Sequence, residues 1–107
     1  MDGPGIKLAA IVGPTGVGKT EIAIDVAQRL GGEIVSADSI QLYRGMTIGS
    51  AKPSRAELER VPHHLIDVAD PGKPWTAAEY QREARRAVRS IAARDLLPIV
   101  CGGTGLY

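Results

Sequence analysis

The chain contains no phenylalanine, one tryptophan and one cysteine in 107 residues. A lone cysteine, Cys101, excludes an internal disulfide framework and fits a reducing compartment. It sits in the apolar run Leu96-Leu97-Pro98-Ile99-Val100-Cys101, and there it reads as a small buried thiol in preference to a reactive one. With so few aromatics the core has to be aliphatic, and an apolar fraction of 44% can supply it. No apolar run approaches the ~20 residues that cross a bilayer, and Met1-Asp2-Gly3-Pro4-Gly5 has neither the basic region nor the apolar stretch of a secretory signal. These features predict a soluble, cytoplasmic protein with no membrane partner. An excess of one charge is missing as well: 13 Lys and Arg face 12 Asp and Glu, for a net charge of +1. Charge alone therefore neither demands nor excludes a nucleic acid. There is no internal repeat and no low-complexity tract. The length suits one domain or part of one, burying about 65% of its unfolded surface.

What the chain does have is glycine at chemically telling positions. Gly13-Pro14-Thr15-Gly16-Val17-Gly18-Lys19-Thr20 fits the phosphate-loop pattern G-x-x-x-x-G-K-[ST] at every fixed position. An apolar run, Leu8 to Val12, precedes it and a helical pattern follows. Glycines let successive backbone N–H groups turn inward around a phosphate, and the helix N-terminus adds donors and a positive dipole. Lys19 brings a mobile charge to the outer phosphate, and the Thr20 hydroxyl is placed to ligate Mg²⁺. This predicts a site for a nucleotide or another diphosphate or triphosphate. The alternative is a glycine-rich connection that binds nothing.

Three short apolar runs, Leu8–Val12, Glu33–Ser36 and Pro98–Cys101, read as buried parallel strands. Between the first two, Ile22, Ala23, Val26, Ala27 and Leu30 recur at three- and four-residue spacing, predicting a helix from about Lys19 to Leu30 that Gly31-Gly32 stops. A second helix is predicted before the third strand, where Thr76-Ala77-Ala78-Glu79 forms a capping box. Its apolar stripe is Tyr80, Ala84, Ala87, Val88 and Ile91, and its opposite face carries Arg82, Arg85, Arg86 and Arg89. That basic face reads as solvated before it reads as a polyanion contact. The stretch from Tyr43 to Trp75 is less regular, with Ser54-Arg55-Ala56-Glu57 capping a short helix that Pro62 ends.

Alternating strands and helices imply an α/β fold, a parallel sheet of the phosphate-loop NTPase type with flanking helices. Ligands of such sheets sit beyond the carboxyl ends of the strands. Besides the phosphate loop, the segments Ser36-Ala37-Asp38-Ser39-Ile40-Gln41 and Gly102-Gly103-Thr104-Gly105 emerge there. Asp38 is a candidate metal contact or general base, or else a cap for the next turn. His63-His64 invites a metal reading, but adjacent residues of an extended segment face opposite sides, and no cysteine or third histidine completes a site. The pair reads as structural or substrate-packing, and no Ser-His-Asp arrangement is argued by the sequence.

Taken together, these segments resemble the N-terminal part of the tRNA dimethylallyltransferase family, also called tRNA isopentenyltransferases. The resemblance runs from Leu8 to Tyr107. Its blocks are the phosphate loop; Asp38-Ser39-Ile40-Gln41-Leu42-Tyr43; Gly45-Met46-Thr47-Ile48-Gly49-Ser50-Ala51-Lys52-Pro53; His63-His64-Leu65-Ile66-Asp67; and Gly102-Gly103-Thr104-Gly105-Leu106-Tyr107. The last four, in this order, carry the specificity. Thr47 stands where the family often has Asp, and Ser50 where it often has Thr. Family members continue well beyond the final block with further strands and a helical tRNA-gripping region, so the resemblance implies an incomplete domain. It also implies transfer of a dimethylallyl group from dimethylallyl diphosphate to N6 of an adenosine beside the anticodon of tRNA. Gly13 to Thr20 would hold the diphosphate with Mg²⁺ on Thr20. Asp38, as general base, and Lys19 would be the catalytic residues, and Asp38, Ser39, Ile40, Gln41 and Thr104 would face the RNA. The full-length protein is expected to be a monomer. Three other readings remain open: an adenylate isopentenyltransferase using the same donor, a small-molecule kinase, and an inert phosphate-binding fragment.

Overall fold

The computed structural model describes residues 7–13, 18–45 and 52–102. Four parallel strands form one sheet in the order β1-β4-β2-β3: β1 Ala9–Val12, β2 Gly32–Ser36, β3 His63–His64 and β4 Leu97–Gly102. The helices are α1 Lys19–Leu30, α2 Ser39–Leu42, α3 Arg55–Arg60 and α4 Ala77–Ala93. Strand β4, last in sequence, lies between the two members of the first strand-helix-strand unit, pairing Ile11 with Cys101 and Val35 with Val100. Among the described residues, no helix is long and apolar enough to cross a membrane.

Strand alternation divides the core into two layers. Ile34 and Ile99 face α1 and join Ala23, Ile24, Ala27 and Val61. On the other side Val35 meets Tyr80, Ala87, Val88 and Ile91 of α4, together with Leu42, Leu65 and Ala69. The predicted α4 stripe is the buried one, with Ala84 packed at its margin. The stripe of α1 needs correction. Ala23, Ile24 and Ala27 are buried, whereas Ile22 and Leu30 are 52% and 65% exposed. Two small alanines let α1 approach β4 closely along a narrow seam, and residues flanking that seam stay outside.

The capping boxes at Ser54 and Thr76 both form. Each hydroxyl accepts an N–H bond from the glutamate three residues on, at 3.2 Å for Glu57 and 3.0 Å for Glu79. Gly31 caps α1 in the left-handed region, and Gly32 already belongs to β2. A Cβ on Gly32 would lie 2.4 Å from the Leu97 carbonyl oxygen, so this crossing of β2 and β4 accepts only glycine. Two short elements escape the sequence pattern, the single turn α2 and the edge strand β3. The latter pairs His63 with Ile34 and His64 with Val35.

Candidate functional site

The carboxyl ends of β2 and β4 and the start of α1 enclose a cleft of about 140 Å³. Its wall includes Gly18, Lys19, Thr20, Asp38, Gln41, Cys101 and Gly102, with Glu21 and Glu57 at the side. Gly18 precedes α1 at φ 78° and ψ 20°, a left-handed conformation that suits glycine, and among the described residues no side chain caps this end of the helix. The first-turn N–H groups and the helix dipole are therefore directed at the cleft. Lys19 and Thr20, the first two residues of α1, enter with them.

Asp38 comes from the other side. It follows β2 by two residues, and its backbone N–H donates to the Ser36 hydroxyl at 3.4 Å. Ser36 is only 2% exposed and organises this corner. Its hydroxyl donates to Gln41 Oε1 at 2.8 Å, its carbonyl oxygen accepts from the Tyr80 hydroxyl, and it lies opposite Cys101 in the β2–β4 register. Ala37 N–H continues the ladder to the Cys101 carbonyl oxygen at 2.8 Å. Asp38 and Gln41 thus hang from a hydrogen-bonded frame that α4 supports from behind. The Cys101 thiol senses both charges of the cleft. Burial pushes its pKa up, nearby Lys19 pulls it down and Asp38 pushes it up. A raised pKa keeps this thiol protonated and a poor nucleophile.

The structure therefore brings Gly18, Lys19, Thr20, Asp38 and Gln41 together, as the loop pattern and the strand-end argument anticipate. Gly13 directly follows β1. Pro14, Thr15, Gly16, Val17 and Thr104 lie outside the described residues, as do residues 46–51 of the Gly45–Pro53 block. Ser39 and Ile40 belong to α2 by their backbone. Sequence reasoning missed Ser36 and Glu57 as site residues. Glu57 was visible only as a capping residue, and its carboxylate pKa is lowered chiefly by the Ser54 backbone N–H. The register that makes Ser36 a hub leaves no trace in one chain's sequence.

The two histidines serve the edge of the sheet. His63 Nδ1 donates to the Val61 carbonyl oxygen at 2.8 Å. His64 Nε2 lies 2.7 Å from Glu33 Oε1, and Arg94 grips the same buried carboxylate at 2.6 and 2.9 Å. Glu33 titrates near 2 as a result, held down mainly by Arg94 against the cost of its own burial.

Comparison with known proteins settles the family. Residues 41–107 match the family model described as IPP transferase. The chain belongs to the IPP transferase family. Its match begins at Gln41, so membership does not depend on the phosphate loop that unrelated families share. The loop is included in wider alignments. A Halorhodospira halophila protein named tRNA dimethylallyltransferase is 58% identical over 91% of this chain and 31% of its own length. A Geobacillus thermodenitrificans protein of the same name is 54% identical over 94% of this chain and 32% of its own length. Among solved structures, the tRNA isopentenylpyrophosphate transferase of Bacillus halodurans superposes with a TM-score of 0.88 at 51% identity, covering 94% of this chain and 33% of that one. A eukaryotic dimethylallyltransferase acting on tRNA gives a TM-score of 0.87 at 35% identity, covering 92% of this chain and 25% of that one. The phosphate-loop α/β fold anticipated from the motif is thus the fold of IPP transferases. This chain spans about a third of the length of the curated relatives it matches.

Proposed function

We propose that this chain supplies the diphosphate cradle and the general base of a tRNA dimethylallyltransferase. The observation that carries the reading is that Asp38 borders the same cleft as Lys19 and Thr20. The reaction replaces the allylic C–O bond of dimethylallyl diphosphate with a bond from that carbon to adenosine N6. Diphosphate leaves with the bonding electrons, and N6 must lose a proton. In this reading the Gly13–Thr20 loop holds the diphosphate, and the first-turn N–H groups of α1 with the Lys19 ammonium stabilise the negative charge that develops on it as it departs. The adenine amine is a weak nucleophile, because its lone pair is delocalised into the ring. Asp38 as proton acceptor raises its reactivity during attack.

The donor set also fits Mg²⁺. The cleft offers hard oxygen ligands in the Thr20 hydroxyl and the Asp38 carboxylate, and no group of three metal-ligating side chains occurs among the described residues. A cation held largely by phosphates and water, through one protein oxygen, suits that arrangement. Thr20 is the proposed ligand, and the ion would neutralise charge on the diphosphate.

Gln41, with Ser39, Ile40 and Thr104, is assigned to the RNA side. The Ser36 hydroxyl donates to the Gln41 amide oxygen at 2.8 Å, which fixes the amide's orientation beside the cleft. An anticodon-loop base is already partly unstacked, which lowers the cost of drawing it into a pocket. We place the protein in the cytoplasm, where its tRNA substrate is made.

The test grafts this chain in place of the corresponding third of the Bacillus halodurans relative and offers labelled dimethylallyl diphosphate with an anticodon stem-loop or with AMP. Label on N6 of the stem-loop adenosine is expected. Label on AMP alone would instead indicate an adenylate isopentenyltransferase, and no transfer to either acceptor would overturn the reading.

A further inference from the structure

His63 holds a buried nitrogen without a partner. Its Nδ1 faces the Val61 carbonyl oxygen, which can only accept, so Nδ1 carries the proton and Nε2 the lone pair. Burial lowers the pKa of the ring and favours this neutral form. Nε2 has no exposed surface and no hydrogen-bond partner among the described residues. A buried acceptor in that condition calls for an explanation, and an internal water is the usual one.

The space for it is present. His63 borders a second chamber of about 10 Å³, close to what a single water requires. Thr20, Gln41 and Cys101 line both this chamber and the cleft, and Ser36 adds a further polar wall. Ser36 is already committed to Gln41 and Asp38. The Thr20 hydroxyl is the natural second partner, because its rotor is set by whatever accepts its proton.

We infer that one water fills this chamber, donating to His63 Nε2 and accepting from the Thr20 hydroxyl. His63 is then a positioning residue for the diphosphate end of the site. By accepting through the water, it turns the Thr20 proton inward and leaves the oxygen lone pairs facing the cleft. Edge strand β3 is thereby connected to the phosphate loop, two features far apart in sequence. The inference rests on the diphosphate reading of that loop.

The test titrates inorganic pyrophosphate with Mg²⁺ into the chain and into its His63→Phe and His63→Gln variants. Phe keeps a planar ring but removes the acceptor, while Gln can present an oxygen in its place. Loss of about tenfold in affinity is expected for His63→Phe, the scale of one hydrogen bond, with most of it regained in His63→Gln. A folded His63→Phe that binds like the wild type overturns the inference. So does a His63→Gln that binds as poorly as His63→Phe, because that marks a merely structural ring. If His63→Phe does not fold, an atomic-resolution crystal structure of the wild type decides: a water bridging Nε2 and Thr20 supports the link, and a dry chamber overturns it. Wild-type protein that binds no pyrophosphate overturns the diphosphate reading itself, an outcome distinct from loss of the His63 role alone.

Discussion

Asp38 and Lys19 share one small cleft but are assigned opposite tasks, taking a proton from the acceptor and holding charge on the leaving group. That division makes separable predictions. Asp38→Asn keeps the shape and the Ser36 contact through its backbone, so binding of the allylic diphosphate should survive. In the grafted enzyme its kcat should fall by ~10²–10⁴, the range for loss of a general base. Steady-state kinetics with a stem-loop acceptor checks this, and an unchanged kcat would remove Asp38 from proton transfer. These residues were legible in the sequence because fixed motif spacing and a strand end place them without knowledge of the pairing. Ser36 was not. Its importance comes from lying opposite Cys101 and beneath Gln41, a matter of register between strands more than 60 residues apart.

At the level of elements, the sheet edge is held by an ionic clasp that joins β2, β3 and the end of α4. Glu33 is 7% exposed at its side chain, and Arg94 and His64 both bond to it. Its folded pKa of about 2 lies below the ordinary 4.5. Such a group contributes stability that is fully present above 4.5 and is lost as pH falls from there through about 2. The contribution is on the order of 2 kcal/mol, after a discount for the half-exposed guanidinium. Thermal melts between pH 6 and 2.5 should show a falling Tm, and Arg94→Met should flatten that slope. In the same variant Glu33 is left buried without its main partner, so stability at neutral pH should fall as well. An unaltered acid slope would contradict the assignment. A second element-level prediction concerns Gly32→Ala. Its Cβ meets the Leu97 carbonyl at 2.4 Å, so the crossing of β2 and β4 must open, with an expected loss of about 1–3 kcal/mol measured by denaturant titration. A neutral Gly32→Ala would show that the two strands are not so close. Capping boxes and the α4 stripe were readable in advance because they are local. The α1 stripe holds at Ala23, Val26 and Ala27 but wrongly includes Ile22 and Leu30 and omits Ile24, since spacing alone cannot say how narrow a seam the sheet offers.

At the scale of the whole molecule, placing β4 between β1 and β2 draws three strand ends to one corner, and the site exists because of that order. The alternation of strands and helices indicated a parallel sheet, but not which strand would lie in the middle. Edge strand β3 was hidden for a related reason: two histidines make no apolar run, and they become a strand only by pairing with Ile34 and Val35. The same order leaves β1 paired on one side among the described residues, with Leu8 and Val12 each 51% exposed. This chain corresponds to about a third of its relatives' length, so its own capacity to bind the donor is the point on which the whole account turns. That capacity is measured most directly by calorimetric titration of the chain, with Mg²⁺, using dimethylallyl diphosphate and then ATP. Tighter binding of the allylic diphosphate is expected, abolished in Lys19→Ala. Preference for ATP, or binding of neither ligand by folded protein, would contradict it.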